Sequence, residues 1–571
     1  PPTTLDRTIT GDLSQNQALP YGFGELRYSK GWKRVVRNDV TKAKPGREKR
    51  RKSLLYFGQM TDRHIIDEES PVRLELYQLV SPTFSSAWRP QESMVPQIND
   101  QMIRTLNQFA PASIVRDGKR KRAKMELTVD TGDSIDSNES IELNWALTLF
   151  NGGKVTPHSG QASPDPCSAG DVAPDAHEHY NGVQDYSDYK FKIDGFWDPN
   201  EPYGKYGKWP HYPGLMDQAQ KPFDAEGSKV PTYAILGNHD VLVQGNLSAP
   251  LEALAKVTGC KKEFSPIPQL PKPAQVASFP RDNFAVPKDQ RREYMNRPNY
   301  RKQYFDGKQK DAHGFGYVSP AELKDSNGSA SYYSWAPKKG FRFIVLDTNA
   351  NGKGFLANGN IDNPQWAWLK RELAKSKRNH ELTMIFSHHP IRSLNVRVAD
   401  ETAGRCMHDG NVSQGDAPGC DLDPRTSTPL HLGDELEQLL LENPQVVAHI
   451  AGHTHENKIT SFPNDKKPGY GFWGVETSSG IDWPLQTRMI QLMDNKDGTL
   501  SLFGTMLDFD VPLDTPPSGT DASTFGARTL AAIGRKLAFN NPQFNGKSGI
   551  GKSVDENVEL IVKDPRPLLK K

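Results

Sequence analysis

Five short clusters of aspartate, asparagine and histidine are the parts of this 571-residue sequence best suited to chemistry. They are Asp62-Arg63-His64, Gly132-Asp133-Ser134-Ile135-Asp136, Gly237-Asn238-His239-Asp240, Ser387-His388-His389-Pro390 and Gly452-His453-Thr454-His455. Carboxylate and imidazole ligands suit borderline metals such as Zn, Fe or Mn, and the lack of cysteine in the clusters argues against a closed structural site. Each cluster alone is a weak signal, but the five together predict a catalytic metal centre.

If such residues held two divalent ions, the pair could catalyse the hydrolysis of phosphate esters. Their charge exceeds that of the Asp62 and Asp133 carboxylates and a bridging hydroxide, so the site attracts a phosphate anion. With the ions roughly 3.5 to 4 Å apart, a bound water can lose its proton near neutral pH and attack in line while both ions hold phosphate oxygens. No covalent intermediate with the protein is required.

Most of these clusters follow short apolar runs. The runs lie at 54–57, 125–129, 233–236, 343–346, 383–386 and 446–450. Continuous apolar runs of this length are typical of strands buried on both faces. Between these runs, apolar residues recur at helical spacing from Ile98 to Phe109, from Asn363 onward and around Leu436. Further strands are predicted at 471–477, 488–493 and 499–506. The alternation predicts an α/β core, where ligand sites collect beyond the carboxyl ends of strands.

Taken in order, the clusters match the motif series DxH, GDxxD, GNHD, HxP and GHxH. The chain therefore resembles the calcineurin-like metallophosphoesterases, and among them a large secreted member of bacterial type. This resemblance, which runs from Asp62 to His455, implies a layered α/β fold of two mixed β-sheets flanked by helices, with long loop insertions. It further implies a hydrolase, phosphatase or phosphodiesterase, that acts on a small phosphomonoester or phosphodiester with two divalent or mixed-valence ions of Mn, Fe or Zn.

The resemblance assigns metal ligands position by position. It implies that Asp133 bridges both ions. Asp62, His64 and His455 then bind the first ion, while Asn238, His388 and His453 bind the second. His388 is preferred because the family histidine stands two residues before the proline, and His389 is the alternative ligand.

The resemblance also implies a catalytic pair. His239 is expected to point at the substrate and to protonate or stabilise the leaving oxygen, as a general acid does, with Asp240 orienting its ring. Asp136 is expected to support the ligands by hydrogen bonding instead of binding metal. Purple acid phosphatases have a metal-bound tyrosine at the position of Asp136. The absence of that tyrosine here argues against a purple ferric enzyme.

The rest of the sequence predicts how the chain is organised. Residues 1–52 are polar, end in a basic run, and predict an extended N-terminal arm. Residues 53–510 predict the metallophosphoesterase domain, with insertions at about 151–230 and 261–335, and residues 511–571 predict a C-terminal extension. Loops this long are usually functional or disordered. The first insertion carries the aromatic residues Phe196, Trp197, Tyr203, Tyr206, Trp209 and Tyr212. Their rings either stack on a nucleoside base, which would make the substrate nucleotide-like, or form a local core.

Charge and hydropathy limit the partners. The 71 Lys and Arg against 69 Asp and Glu leave a formal charge of +2, which gives no global argument for nucleic acid or an anionic membrane. Any attraction for anions must be local. The basic run 119–124 is expected to be solvated because it lacks interleaved aromatic rings. No apolar run reaches the length of a membrane span. Nothing in the sequence predicts an oligomeric state.

The cysteines and the first residue bear on the compartment. The chain begins at Pro1 and not at a methionine, which predicts an exported protein, extracellular or periplasmic, whose signal peptide has been removed. A chain trimmed for expression would begin in the same way. Cys167, Cys260, Cys406 and Cys420 are either free or include a disulfide between Cys406 and Cys420. A rival hypothesis from another class is a secreted binding module on a catalytically inactive phosphoesterase scaffold. An inactive scaffold of this kind would lack some of the metal ligands, whereas this sequence has all seven expected ligands.

Overall fold

The apolar runs become strands of two large sheets in the computed structural model. The structure describes residues 2–11, 21–79, 87–160, 167, 180–185, 195–246, 257–263, 283–350, 356–396, 431–543 and 549–570. The strands in this part of the chain are β1 Arg7–Gly11, β2 Leu26–Lys30, β3 Val35–Arg37, β4 Lys52–Met60, β5 Leu127–Asp130, β6 Gly153–Val155, β7 Phe223–Ala225, β8 Thr232–Ala234, β9 Cys260–Glu263, β10 Asn283–Val286, β11 Tyr333–Trp335, β12 Phe341–Val345, β13 Leu382–Phe386, β14 Val446–Ala451, β15 Lys458–Pro463, β16 Gly471–Glu476, β17 Gln486–Asp494, β18 Thr499–Asp508 and β19 Val558–Lys563.

Helices cover the sheets where the sequence has 3.6-residue spacing. They are α1 Val95–Phe109, α2 Ser140–Asn151, α3 Leu215–Ala219, α4 Arg297–Phe305, α5 Pro320–Asp325, α6 Asn363–Arg378, α7 Gly433–Glu442, α8 Ala527–Asn540 and α9 Arg566–Leu569. Helix α6 begins where Asp362 accepts the backbone N–H of Gln365, with Pro364 in its first turn. Its buried face includes Trp368, Leu369 and Leu373. The helices predicted around residues 98–109, 363 and 436 are confirmed.

Both large sheets are mixed. The seven-stranded sheet has the order β3-β19-β18-β17-β4-β5-β8, and the six-stranded sheet has the order β11-β12-β13-β14-β16-β15. Parallel strands β4, β5 and β8 lie in the first, and β12, β13, β14 and β16 in the second. The ring of Phe57 meets those of Phe343 and Phe386, at centroid distances of 5.6 and 6.1 Å, which packs the sheets face to face. The predicted α/β fold of two mixed sheets flanked by helices is confirmed.

The two ends of the chain join the same sheet. Strand β3, within the predicted N-terminal arm, pairs in parallel with β19, within the predicted C-terminal extension. Near the amino end, the Thr4 hydroxyl donates to the carbonyl of Met506 at 2.9 Å. Both segments therefore contribute to the seven-stranded sheet, while the domain boundaries themselves stay predictions.

The aromatic insertion forms a second core. Of the six rings singled out in the sequence, five are buried against Trp88 and the inner face of α8, namely Phe196, Trp197, Tyr206, Trp209 and Tyr212. Only Tyr203 is exposed, at 47%. The local-core alternative therefore holds for these rings, and the five offer no surface on which a base could stack.

One disulfide is present in the described residues. It joins Cys167 to Cys260 in β9, with 5.6 Å between the Cα atoms. Cys406 and Cys420 lie outside the described residues, so their predicted pairing stays open. In the part of the chain that the structure covers, no helix combines the length and the apolar character needed to cross a bilayer.

Candidate dinuclear metal site

The predicted ligands meet at the carboxyl ends of strands from both sheets. Asp62 follows β4, Asp133 follows β5 and Asn238 follows β8, while His388 follows β13 and His453 follows β14. Five of the seven predicted ligands have backbone in the left-handed region, with φ between 45° and 71°: Asp62, His64, Asp133, His453 and His455. Each such residue costs roughly 1 to 2 kcal/mol. Strain of this kind clusters at functional sites, where the surrounding structure holds it.

The first ligand set is closely packed, with Asp62 and His64 buried and His455 partly buried. Nε2 of His455 lies 3.2 Å from Oδ1 of Asp62 and 3.2 Å from Nε2 of His64. One donor atom from each of these three residues fits within 4.8 Å of the others. Two imidazole nitrogens and a carboxylate oxygen aimed at one point form a donor set for a cation.

The second set lies beside the first. Oδ1 of Asn238 is 2.9 Å from Nε2 of His388 and 3.2 Å from Nδ1 of His453. Oδ2 of Asp133 is 3.1 Å from Nε2 of His388 and 3.8 Å from Nε2 of His64. Asp133 thus lies between the two sets, where a bridging ligand has to be.

Outer hydrogen bonds turn each donor atom toward the centre. A ligand histidine uses one nitrogen for metal, and a partner of the other nitrogen fixes the ring. Nδ1 of His388 donates to the carbonyl of Thr131 at 2.8 Å. The Asn238 amide donates to the carbonyl of Gly245 at 2.8 Å, which leaves Oδ1 facing the site.

His389, the alternative ligand, is engaged elsewhere. Its Nδ1 accepts from the Thr348 hydroxyl at 2.8 Å, and its Nε2 donates to the carbonyl of Ala357 at 2.9 Å. One of its nitrogens does lie within 4.8 Å of donor atoms of His388 and His453. Because both of its nitrogens already have partners, we favour His388 as the ligand.

The prediction that Asp240 orients His239 is wrong. The Asp240 carboxylate instead accepts backbone N–H groups of Gly237, Asp133 and Ile135, at 2.7, 2.9 and 3.2 Å, and so ties together the loops after β5 and β8. The ring of His239 is held by Asp136, because Nδ1 donates to its carbonyl at 2.7 Å and lies 3.3 Å from its Oδ1.

Asp136 supports two imidazoles at once. Its Oδ1 also lies 3.1 Å from Nδ1 of His64, as expected of a residue that supports ligands by hydrogen bonding. Burial alone lowers the pKa of His239, but the nearby Asp133 and Asp136 carboxylates outweigh it and raise that pKa. The His239 ring therefore lies beside the centre in an environment that favours its protonated form.

Sequence reasoning missed Asp482 and Arg89. Oδ2 of Asp482 lies 2.6 Å from Nδ1 of His455, and its two oxygens accept Nε and Nη2 of Arg89 at 2.8 and 3.1 Å. Both residues are buried. Neither belongs to a motif, and only the turn signal of the following Trp483-Pro484 marks the segment.

Replacing Asp482 by asparagine is expected to weaken metal binding at the first ligand set by about 10- to 100-fold. The amide cannot carry the negative charge that strengthens His455 as a donor. Titration with Mn or Zn, followed by elemental analysis, measures the effect. Glu381→Gln is the matched control because it breaks another paired contact, with Arg342 at 3.0 Å for both bonds, away from the site. Equal metal affinity in both variants would contradict the role of Asp482.

Gly245 makes room for the His239 ring. A Cβ atom there would lie 2.1 and 2.2 Å from Cδ2 and Nε2 of His239, and 2.5 Å from Nδ2 of Asn238. Gly245→Ala is therefore expected to displace the His239 ring and to lower turnover by about tenfold or more, since small displacements of catalytic groups can cost about 10²-fold.

The control for this change is Gly214→Ala. Gly214 has a φ of 74°, close to the 66° of Gly245, but nothing lies within 4 Å of its added Cβ. Both variants should lose about 1 kcal/mol of stability from the backbone conformation. Only Gly245→Ala should lose activity, and an equal rate for the two variants would show that the close approach is unimportant.

Residues 185–457 match the family model described as calcineurin-like phosphoesterase. The match covers somewhat less than half of the chain and includes the clusters around Asn238, His388 and His453. The Asp62 and Asp133 clusters precede it in sequence, and the fold brings them into the same site. Over the matched residues the chain is similar to the calcineurin-like phosphoesterases, and the same residues supply three of the clusters that meet at the site.

Two solved structures of phosphatases are also similar. A dimetal phosphatase from Danio rerio shares 12% identity, covers 80% of this chain and 100% of its own, and has a TM-score of 0.35. A purple acid phosphatase from yellow lupin (Lupinus luteus) seeds shares 10% identity, covers 85% of this chain and 55% of its own, and has a TM-score of 0.25. Similarities this low carry no argument by themselves. No curated protein sequence is significantly similar to this chain.

Proposed function

We propose that this chain hydrolyses small phosphate esters at a dinuclear metal centre. The observation that carries the proposal is the shared position of Asp133 between two converging donor sets, with Asp62, His64 and His455 on one side and Asn238, His388 and His453 on the other. The family match over the second half of the motif series supports the same chemistry.

The donor set fits two divalent or mixed-valence ions of Mn, Fe or Zn. All donors are oxygen or imidazole nitrogen, which suits these metals. Five of the seven residues are buried, and His453 and His455 are partly buried. When bound, two such ions polarise a phosphate ester and lower the pKa of water at the centre. Asp133 and Asp62 would supply the negative charge that holds two cations at this site.

The protein's own proton donor is His239. Because Nδ1 donates to the Asp136 carbonyl, Nε2 is the nitrogen that can carry a proton toward a leaving oxygen. Its ring centroid lies 4.3 Å from that of His64, so the proton donor stands next to the first ligand set. Asp136 keeps the ring in this orientation, and Asp240 keeps the Asp133 loop in place.

The substrate is proposed to be a phosphomonoester or phosphodiester. Since five rings of the insertion are buried, they do not support a nucleotide-like substrate. The relative turnover of p-nitrophenyl phosphate and bis(p-nitrophenyl) phosphate distinguishes a phosphomonoesterase from a phosphodiesterase. Turnover of the monoester alone would contradict a phosphodiesterase activity. We also propose that the protein is exported, because the Cys167–Cys260 disulfide suits an oxidising compartment.

The proposal is tested by elemental analysis of the purified protein combined with p-nitrophenyl phosphate hydrolysis. Activity is measured before chelation, after chelation, and after Mn, Zn or Fe is added back. About two metals per chain and chelator-sensitive, restorable activity are expected. Metal-free protein without activity under any addition would instead favour a binding module on an inactive scaffold.

A further inference from the structure

Two basic segments that are far apart in sequence lie side by side in the fold. Residues 47–52 and 116–124 hold eleven Lys and Arg against only Glu48 and Asp117, whereas acidic residues outnumber basic ones in the rest of the chain. We name these two segments the basic edge. The near-neutral charge of the whole chain conceals this local concentration.

Backbone contacts hold the two segments together. The N–H of Gly118 donates to the carbonyl of Arg51 at 2.7 Å, and Nε of Arg51 donates to the carbonyl of Arg116 at 2.9 Å. A Cβ on Gly118 would lie 2.4 Å from the carbonyl oxygen of Lys49, so this approach requires glycine. The cations are therefore fixed next to one another by the fold.

The second segment is a tight hairpin with a basic tip. Arg116 and Arg122 pair as an antiparallel bridge, and Oδ1 of Asp117 accepts the backbone N–H groups of Lys119 and Lys121 at 2.9 and 2.7 Å. Asp117 is thus occupied by the turn. Lys119, Lys121 and Arg122 are exposed, and among the described residues no acidic side chain forms an ion pair with them.

The basic edge lies at the opposite end of the strands from the candidate metal site. Lys52 begins β4 and Asp62 follows its end; likewise 116–124 precede β5 and Asp133 follows it. Strand β4 has nine residues, so at about 3.3 Å per residue its ends lie roughly 30 Å apart. An anion bound at the basic edge does not reach the ligands, so the edge is separate from the candidate metal site.

We propose that the basic edge docks this protein on a bilayer that carries anionic phospholipid headgroups. Clustered Lys and Arg bind such surfaces through charge alone. The exposed large apolar residues of the described chain lie outside both segments, so the contact is with headgroups and not with acyl chains. The same lack of exposed rings leaves single-stranded nucleic acid without stacking partners. Docking in this orientation leaves the candidate metal site facing away from the membrane.

Vesicle co-sedimentation of the full chain tests the proposal. Vesicles of phosphatidylcholine alone are compared with vesicles in which about a third of the lipid is phosphatidylglycerol, at low and at high salt. Binding is expected only to the anionic vesicles and is expected to fall with salt, because exposed charges are screened. Failure to bind anionic vesicles at low salt overturns the proposal.

A matched pair of variants locates the contact. Lys119→Gln with Lys121→Gln and Arg122→Gln should weaken vesicle binding by roughly 100-fold, given the usual contribution of each cation near an anionic surface. Lys208→Gln with Lys221→Gln and Arg528→Gln removes the same charge from exposed positions around the second core and should bind like the parent. Thermal unfolding of both variants checks their folding.

Two other outcomes also overturn the proposal. Equal weakening by both triple variants would show that net charge, not the basic edge, drives binding. Tighter binding of the parent to duplex DNA than to anionic vesicles, lost in the Lys119, Lys121 and Arg122 variant, would assign the edge to nucleic acid. None of these readouts depends on phosphatase activity, so they stand apart from the proposed function.

Discussion

Asp133→Asn is expected to abolish phosphate ester hydrolysis and to reduce bound metal from two ions to at most one. An amide in place of Oδ2 would direct N–H groups at Nε2 of His388, which is 3.1 Å away in the parent. Amide hydrogens cannot bind a cation, so the two ligand sets lose their common member. Charge stabilisation by bound metal is worth several kcal/mol, which corresponds to a rate loss of roughly 10³-fold or more. Elemental analysis and turnover of p-nitrophenyl phosphate measure both effects.

Asp347→Asn provides the control for this variant. Asp347 lies at the carboxyl end of β12, is nearly buried, and pairs with Arg297 at 2.7 Å without belonging to either ligand set. Its replacement should lower thermal stability but leave two metals and near-normal turnover. If Asp133→Asn retained two metals and turnover within tenfold of the parent, Asp133 would not be the bridging ligand.

His239→Ala is expected to lower turnover by about 10²- to 10⁴-fold, the usual contribution of a general acid, while both metals stay bound. The loss should be largest for alkyl phosphate esters, because an alkoxide needs protonation to leave. It should be smallest for p-nitrophenyl phosphate, whose leaving group is stable as an anion. Turnover of both substrates by parent and variant, with metal analysis of each, measures the difference.

Two results would change the role of His239. Equal losses for both leaving groups would remove it from proton transfer. Loss of metal would make it a ligand, since one of its nitrogens lies within 4.8 Å of donor atoms of His64 and Asp133. His313→Ala is the control for deleting a buried imidazole, because His313 bonds to Thr232 and Asn151 away from the site and should affect stability only.

Much of the fold could be predicted from local patterns. Strands β4, β13 and β14 contain the predicted apolar runs, because strands buried on both faces favour apolar side chains at successive positions. Helix α6 could be recognised from Asn363 and Pro364 at its start. The strands contributed by both ends of the chain were harder to predict, because β3 has only three residues and no apolar run marks it.

The motif residues allowed the candidate site to be predicted, whereas its supporting residues depended on contacts between distant segments. Asp482 reaches His455 through a loop after β16, and Arg89 reaches Asp482 from nearly 400 residues earlier, so no spacing rule connects them. The role of the aromatic insertion could not be predicted for a similar reason, because the number of aromatic rings does not distinguish a substrate-binding surface from a buried core.

The sequence by itself determined the type of chemistry, because five clusters of oxygen and nitrogen donors in a set order restrict both the metals and the reaction. It also determined where strands and helices lie, because hydrophobic periodicity is a local property. Only the tertiary structure decided that Asp136 and not Asp240 holds His239, that His389 is already engaged, and that two basic segments share one edge. These outcomes depend on which atoms meet across the fold, and hydrogen bonds and charges act over distances in space that the order of residues does not record.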